Sequence, residues 1–483
     1  MNNSTLCVRR AHLQFGVAAL FLFFCICAYL LSQGEFVAVV SWLFVIIVFM
    51  PAFLASRLVK STLLQMVIGI AFITQFISVP IFVITRDSYT PSGWTAVKDF
   101  SFTVPEFATI YSHLAFFLVV VVCCIAALIR MVKLPQLPAS RCENRSAQKQ
   151  SIKRNTNYYL LLLILVIFLI VPLNLWMFSS GISLTGIEPP RLPFRLSGIL
   201  SYLTSYAVPL VLAILYSKTT RAYVPAIILM VYALLLGACH ISKGVLMFTM
   251  LPVVYCAISD RKYVIFSLSA IFSLASIQLV SLLRNVVYVV VGGKSGSDTA
   301  NGLMLTLNRL INDSIEYVSV ADIFSLIVNR IESAQDIVLA SKFNADAIGG
   351  IGPAFLGFNC SALNNFDIDA YHIEFKGISL PEGFGFGAGG MLAKSLLFTQ
   401  SQPLYIVIFA MNVAAYIYLG EWIARSISRK YSNRAYYPIV GGLYILFLYT
   451  NPGSPVFIGM MFFMIIVAMP FFPVRWPKLS VKV

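Results

Sequence analysis

Charge is what this chain has least of. Asp, Glu, Lys and Arg together make up 11% of its 483 residues, against about 25% in soluble globular domains. That shortage excludes a water-soluble fold, and the 59% share of hydrophobic residues and a mean hydropathy of +0.87 agree. Acids are scarcest of all: 19 Asp and Glu stand against 34 Lys and Arg, for a formal charge of +15. A nucleic-acid partner does not follow from that excess, because the cations flank apolar runs and form no contiguous patch. Histidine is rare as well. His12, His113, His240 and His372 are scattered without metal-ligand spacing, so neither a metal nor another cofactor is expected. P-loop, Gly-x-Ser-x-Gly and His-Glu-x-x-His motifs are missing, as are internal repeats and low-complexity tracts.

What the chain does have is a ladder of apolar runs. Runs of 18 or more apolar residues span a bilayer as helices, because backbone groups in lipid must be satisfied within the segment. Twelve spans are expected, at 14–33, 36–55, 62–85, 108–129, 157–179, 197–216, 223–241, 245–258, 263–283, 402–420, 436–451 and 456–473. The eighth is short, and a tight turn at His240-Ile241-Ser242-Lys243-Gly244 joins it to the seventh. The first run is long for a signal peptide and lacks a small-x-small cleavage site, so it is expected to stay as an anchor. The fold class is therefore an all-α polytopic membrane protein of about 12 transmembrane helices.

The cations orient that ladder. With both termini in the cytoplasm, the inner segments hold about 22 of the 34 basic residues and about 3 of the 19 acids (Glu143, Asp260 and Glu421). The opposite orientation would export the basic run from Arg130 to Arg154. Most of the nine cysteines fall in spans or inner segments; Cys239 and Cys360 are the two able to face outward, where one bond between them is the alternative to the favoured reading of two unpaired thiols.

Five regions follow: a four-span segment at 1–130, a basic, flexible cytoplasmic linker at 131–156, spans five to nine at 157–283, a large outer loop at 284–401, and the last three spans with a tail at 402–483. The outer loop carries two amphipathic stripes. One runs through Leu303, Leu307, Leu310, Ile311, Ile315 and Val318, the other through Ile323, Ile327, Ile331 and Val338, with Ser319 and Asp322 spaced as a capping box. Neither is apolar enough to span, so both are expected at the membrane surface or against the bundle. Residues 348–390 of the loop are glycine-rich, ending in the run at 383–390.

Ionisable groups at span ends are expensive and mark function by default. Lys243 is three residues from His240, expected on one face of a helix end. Arg284 follows the ninth span, Arg191 and Arg195 sit in a proline-rich outer loop, and Arg330 lies on the second amphipathic stripe. Together these outer cations suit a phosphate-bearing ligand, since guanidinium groups give always-charged, bidentate contacts. Arg309 has Asp313 at i+4 and is read as a structural pair, whereas Arg330 has no acid at either helical spacing. As bases that take a proton from a hydroxyl, His372 in Tyr371-His372-Ile373-Glu374 and Glu332 are the candidates. Asp367-Ile368-Asp369 has the spacing of a metal-binding pair but lacks a nucleotide-binding domain around it.

The layout resembles the Wzy-type O-antigen polymerase group of bacterial surface polysaccharide: about twelve spans and one dominant outer loop before the last of them. Locally, His240-Ile241-Ser242-Lys243-Gly244 is similar to that family's Ser-Arg-Gly turn, with Lys in place of Arg, and Glu382-Gly383-Phe384-Gly385-Phe386-Gly387 before Met391-Leu392-Ala393-Lys394 resembles its segment entering a late span. The resemblance implies a metal-independent glycosyltransferase with a GT-C-like fold in the bacterial inner membrane, its site facing the periplasm. Its substrate would be oligosaccharide repeat units on undecaprenyl pyrophosphate. Membrane lipid and a chain-length regulator protein would be its partners. Arg191, Arg195, Lys243, Arg284 and Arg330 would hold the pyrophosphate, and His372 or Glu332 would deprotonate the acceptor. Three other readings stay open: the ligase that moves polysaccharide onto lipid A core, a lipid-monophosphate sugar transferase using Glu35 or Asp87, and a flippase or secondary transporter.

The orientation is directly measurable. A phosphatase reporter that works only outside the cytoplasm is expected to be inactive when fused after Gln150 and active when fused after Asn344.

Overall fold

Apolar runs longer than a bilayer is thick become helices for want of any other backbone partner. In the computed structural model, every regular element among the described residues is helical. These residues are 24–85, 103–136, 145–183, 192–193, 196–219, 223–259, 262–292, 403–431 and 436–449, with Ile337, Ser341, Met391, Leu392, Ser395 and Leu396. After a helical stretch at 24–32 come α1 (Phe36–Val59), α2 (Thr62–Thr85), α3 (Val104–Met131) and α4 (Arg145–Ser179). Then follow α5 (Leu196–Tyr202), a π-helical turn at Leu203–Ala207, α6 (Val208–Lys218), α7 (Tyr223–His240), α8 (Lys243–Ser259), α9 (Tyr263–Gly292), α10 (Pro403–Tyr431) and α11 (Tyr436–Tyr449).

Eight helical stretches among the described residues are long and apolar enough to cross a membrane, so the chain is a polytopic membrane protein. They match the expected second to seventh, ninth and tenth spans. The expected eighth and eleventh spans are the shorter helices α8 and α11. The expected twelfth span and most of the loop lie outside the described residues, as does the beginning of the first span.

Three expectations change. The basic linker is helical from Arg145, because 145–156 holds good helix formers and no Pro or Gly. The sixth span is one path of three pieces, α5, the π turn and α6. The fourth begins earlier than expected, where the Thr103 N–H donates to Glu106 Oε2 at 3.2 Å.

The helices pack as two groups. One contains α1, α2, α3 and α10; the other contains α4, α6, α7, α8 and α9. Helix α11 touches both, lying against α2 and α10 on one side and α6 and α8 on the other. Its contact with α8 depends on glycine. A Cβ on Gly442 would overlap the Phe248 ring, and one on Gly441 would stand 2.7 Å from Tyr255 Cε2. Small residues that let helix backbones approach are a main source of packing energy in lipid, where apolar side chains gain little by meeting each other. Outward, α4 shows Leu161, Leu165, Phe168 and Leu169 to the surroundings, as a lipid-facing helix does.

A buried carboxylate joins the first group. Glu421 of α10 accepts the Leu63 N–H at 2.9 Å and the Ser61 hydroxyl at 3.3 Å on Oε2. Its Oε1 accepts the Arg425 Nε–H at 2.7 Å and the Tyr436 hydroxyl of α11. The same Arg425 donates from Nη2 to the Lys60 carbonyl at 2.5 Å. The acid thus sits at the N-terminus of α2, where the helix dipole favours an anion. Removing it strands a half-buried guanidinium and an open helix end. Glu421→Ala is expected to destabilise the protein by about 3 kcal/mol, read as a lower melting temperature in detergent, whereas Glu421→Gln retains part of the loss.

Candidate functional site

The second group holds a buried polar cluster at the end of α7. Its centre is His240, the last residue of that helix, only 1% exposed. The Thr204 hydroxyl lies 3.2 Å from Nε2 and the Ser205 hydroxyl 3.2 Å from Nδ1. Both hydroxyls belong to the π turn. A π turn inside a membrane helix is rare and tends to mark a functional place. The cluster extends through Met177, whose sulfur is 3.9 Å from the Thr204 hydroxyl, and through Ser183, which donates to the Cys239 carbonyl at 2.7 Å. Farther along, Asn174 Nδ2 donates to the Tyr232 hydroxyl at 3.4 Å, while the buried Asn174 Oδ1 has no hydrogen-bond partner. Cys239 is a buried, free thiol.

The turn after His240 is strained. The Ser242 N–H bonds the Gly237 carbonyl at 3.0 Å and the Ile241 N–H bonds the Ala238 carbonyl at 3.1 Å. That pair of bonds is the Schellman stop, which requires a left-handed residue just past the helix and usually uses glycine. Here the residue is Ile241, at φ 49°. A few positions past Ser179, α4 ends in the same way with Gly181 at φ 72°. Left-handed backbone costs a β-branched residue roughly 1–2 kcal/mol, and burying an isoleucine side chain offsets about as much. Ile241 is 1% exposed, so burial holds the strain in place. A tight approach completes the turn: a Cβ on Gly237 would lie 2.8 Å from the Leu246 Cβ.

Ser242 then starts α8, accepting the Val245 N–H on its hydroxyl at 3.4 Å. Lys243 is the first residue of α8 and is half-buried. The expectation that His240 and Lys243 share one helix face is therefore corrected. They belong to different helices, because the left-handed Ile241 ends one before the other begins. Helices α8 and α9 are consecutive, packed together and joined by a short turn, which makes them antiparallel neighbours. Their far ends, with Lys243 on one and Arg284 on the other, lie at the same end of the bundle. Arg284 stands within α9, which continues past the apolar span to Gly292.

Comparison with known proteins returned nothing: no family model, curated protein or solved structure matches this chain.

The remaining expected site residues, Arg191, Arg195, Arg330, Glu332 and His372, lie outside the described residues. Among the described residues no group of three His, Cys, Asp or Glu is placed to hold a metal ion. Sequence reasoning passed over Thr204, Ser205, Ser183 and Asn174. Adjacent hydroxyls inside an apolar run were the available signal, but a π turn breaks the helical period that would place them on a face. His240 itself is poorly suited to proton transfer with a substrate, being buried with a hydroxyl on each ring nitrogen. What the cluster does chemically is hold a turn.

Strain at Ile241 has a measurable sign. At an ordinary buried helix or turn position glycine is less stable than alanine by about 0.5–1 kcal/mol. At position 241 the order is expected to reverse: both Ile241→Ala and Ile241→Gly lower the melting temperature, and the glycine variant less, by about 1 kcal/mol.

Proposed function

We propose that this protein polymerises oligosaccharide repeat units carried on undecaprenyl pyrophosphate, on the periplasmic side of a bacterial inner membrane. The reading takes the chain as a twelve-span, GT-C-like glycosyltransferase of the O-antigen polymerase type. One observation carries it. Lys243 opens α8, so a cation stands at the end of a helix whose dipole is already positive. A positive helix end of this kind favours an anion beside it. That is the turn that resembles the family's Ser-Arg-Gly element, and it shares its end of the bundle with Arg284.

In this reading Arg191, Arg195, Lys243, Arg284 and Arg330 hold the pyrophosphate of the growing chain's carrier. His372 or Glu332 takes the proton from an acceptor hydroxyl on the incoming unit. The acceptor oxygen bonds to the anomeric carbon as the bond from that carbon to the pyrophosphate oxygen breaks. The carrier leaves as undecaprenyl pyrophosphate, its developing charge stabilised by the cations. The amphipathic stripes of the outer loop cover the site, and a separate chain-length regulator docks on the protein in the membrane.

Deletion of the gene is expected to leave lipopolysaccharide capped with single repeat units. Loss of all capping, with lipid-linked polymer accumulating, would instead identify a ligase. In purified protein, Lys243→Ala and the pair Arg284→Ala with Arg330→Ala are each expected to slow polymer formation by about tenfold or more. His372→Ala is expected to abolish the pH dependence of turnover near neutrality; unchanged activity would remove it as the base.

A further inference from the structure

We propose that His240 is a positioning residue for Lys243: clamped between Thr204 and Ser205 of the π turn, it fixes the turn from which Lys243 projects and so where that cation meets an anionic substrate. This rests on the reading that the first turn of α8 meets a lipid-linked pyrophosphate.

The clamp is made of independent ties. The two hydroxyls close on opposite nitrogens of one imidazole, each at 3.2 Å, so the ring cannot turn without breaking a hydrogen bond. The Thr204 hydroxyl is also 3.0 Å from the Leu200 carbonyl, which anchors it to its own helix. The residue before His240 is tied through its carbonyl to Ser183, at 2.7 Å. The residue after it is the left-handed Ile241, and Ser242 caps α8. From Cys239 to Ser242, every residue is therefore constrained by a hydrogen bond or by burial. Ending a helix in this way requires none of this, since a glycine is enough, as Gly181 shows at the end of α4. Strain and a rare helix form persist where the surroundings over-determine a conformation, and such places are commonly functional.

The residue that gains from this fixation is three positions on. A lysine carries four rotatable side-chain bonds, so a mobile turn beneath it would spread its ammonium over a wide volume. Fixing the backbone at its base removes part of that spread before substrate arrives, which strengthens binding without adding a contact.

The test is a double-mutant cycle on the full chain in lipid nanodiscs, with undecaprenyl pyrophosphate as the probe and its affinity as the reading. Thr204→Val, which keeps the side chain's shape, is expected to weaken binding by about fivefold in the native background and to leave a Lys243→Met background unchanged. Ser205→Ala reads the same cycle at the other ring nitrogen and decides the matter if the valine variant does not fold. An equal fold-loss in both backgrounds would show that the hydroxyls act through general packing, and would overturn the positioning role. So would native affinity in Thr204→Val and Ser205→Ala. If the unmodified protein does not bind the probe, the polymerase reading falls and takes this inference with it; binding with a multiplicative cycle removes the positioning role alone.

Discussion

A carboxylate inside a membrane bundle has to find partners for all its lone pairs, and Glu421 meets that demand in a way that organises much of the fold. Its two oxygens take four donors, from Ser61, Leu63, Arg425 and Tyr436. Those donors come from the start of α2, from α10 itself and from the start of α11. Because the carboxylate is fully buried, the three elements have to meet at one point. The consequence is topological: α10, although far along the chain from them, packs on α2 and α3. Helix α11, held to Glu421 by its first residue, then reaches the second group through Gly441 and Gly442. A single acid thus contributes to joining the two halves.

The second group is organised by a different device. Around His240 no ion pair is needed, because each polar atom of the ring finds a hydroxyl. The departures from regular helix there, a π turn and a left-handed isoleucine, are local strains that surrounding burial sustains. On the orientation that the charge asymmetry predicts, Glu421 lies at the inner end of the bundle and His240 at the outer end. The inner cluster is a fully paired junction. The outer one borders Lys243, where the proposed chemistry takes place.

Much of this helical framework was legible in the apolar runs. The hydrocarbon thickness sets a length, and α1, α3, α4, α7 and α9 begin or end within a few residues of the expected spans. The turn at 240–244 was also legible, from its polar residues between two apolar runs. The Thr103 and Glu106 pair carried the start of α3 in its spacing, although the apolar run begins later and hid it. The helical part of the basic segment was hidden in the opposite way, its charges reading as a solvated linker when its residues are good helix formers.

Composition and pattern alone thus determined that this is a helical membrane protein, the course of most of its helices and the uneven distribution of its cations. The reason is that lipid acts on each segment separately, through length and polarity. Only the tertiary structure decided that Thr204 and Ser205 enclose His240, and that Glu421 meets Ser61 and Leu63 more than 350 positions away. Lipid is as apolar as the side chains it surrounds, so hydrophobicity does not choose which helices become neighbours. That choice falls to a few polar atoms and glycines, whose partners are close in space and far apart along the chain.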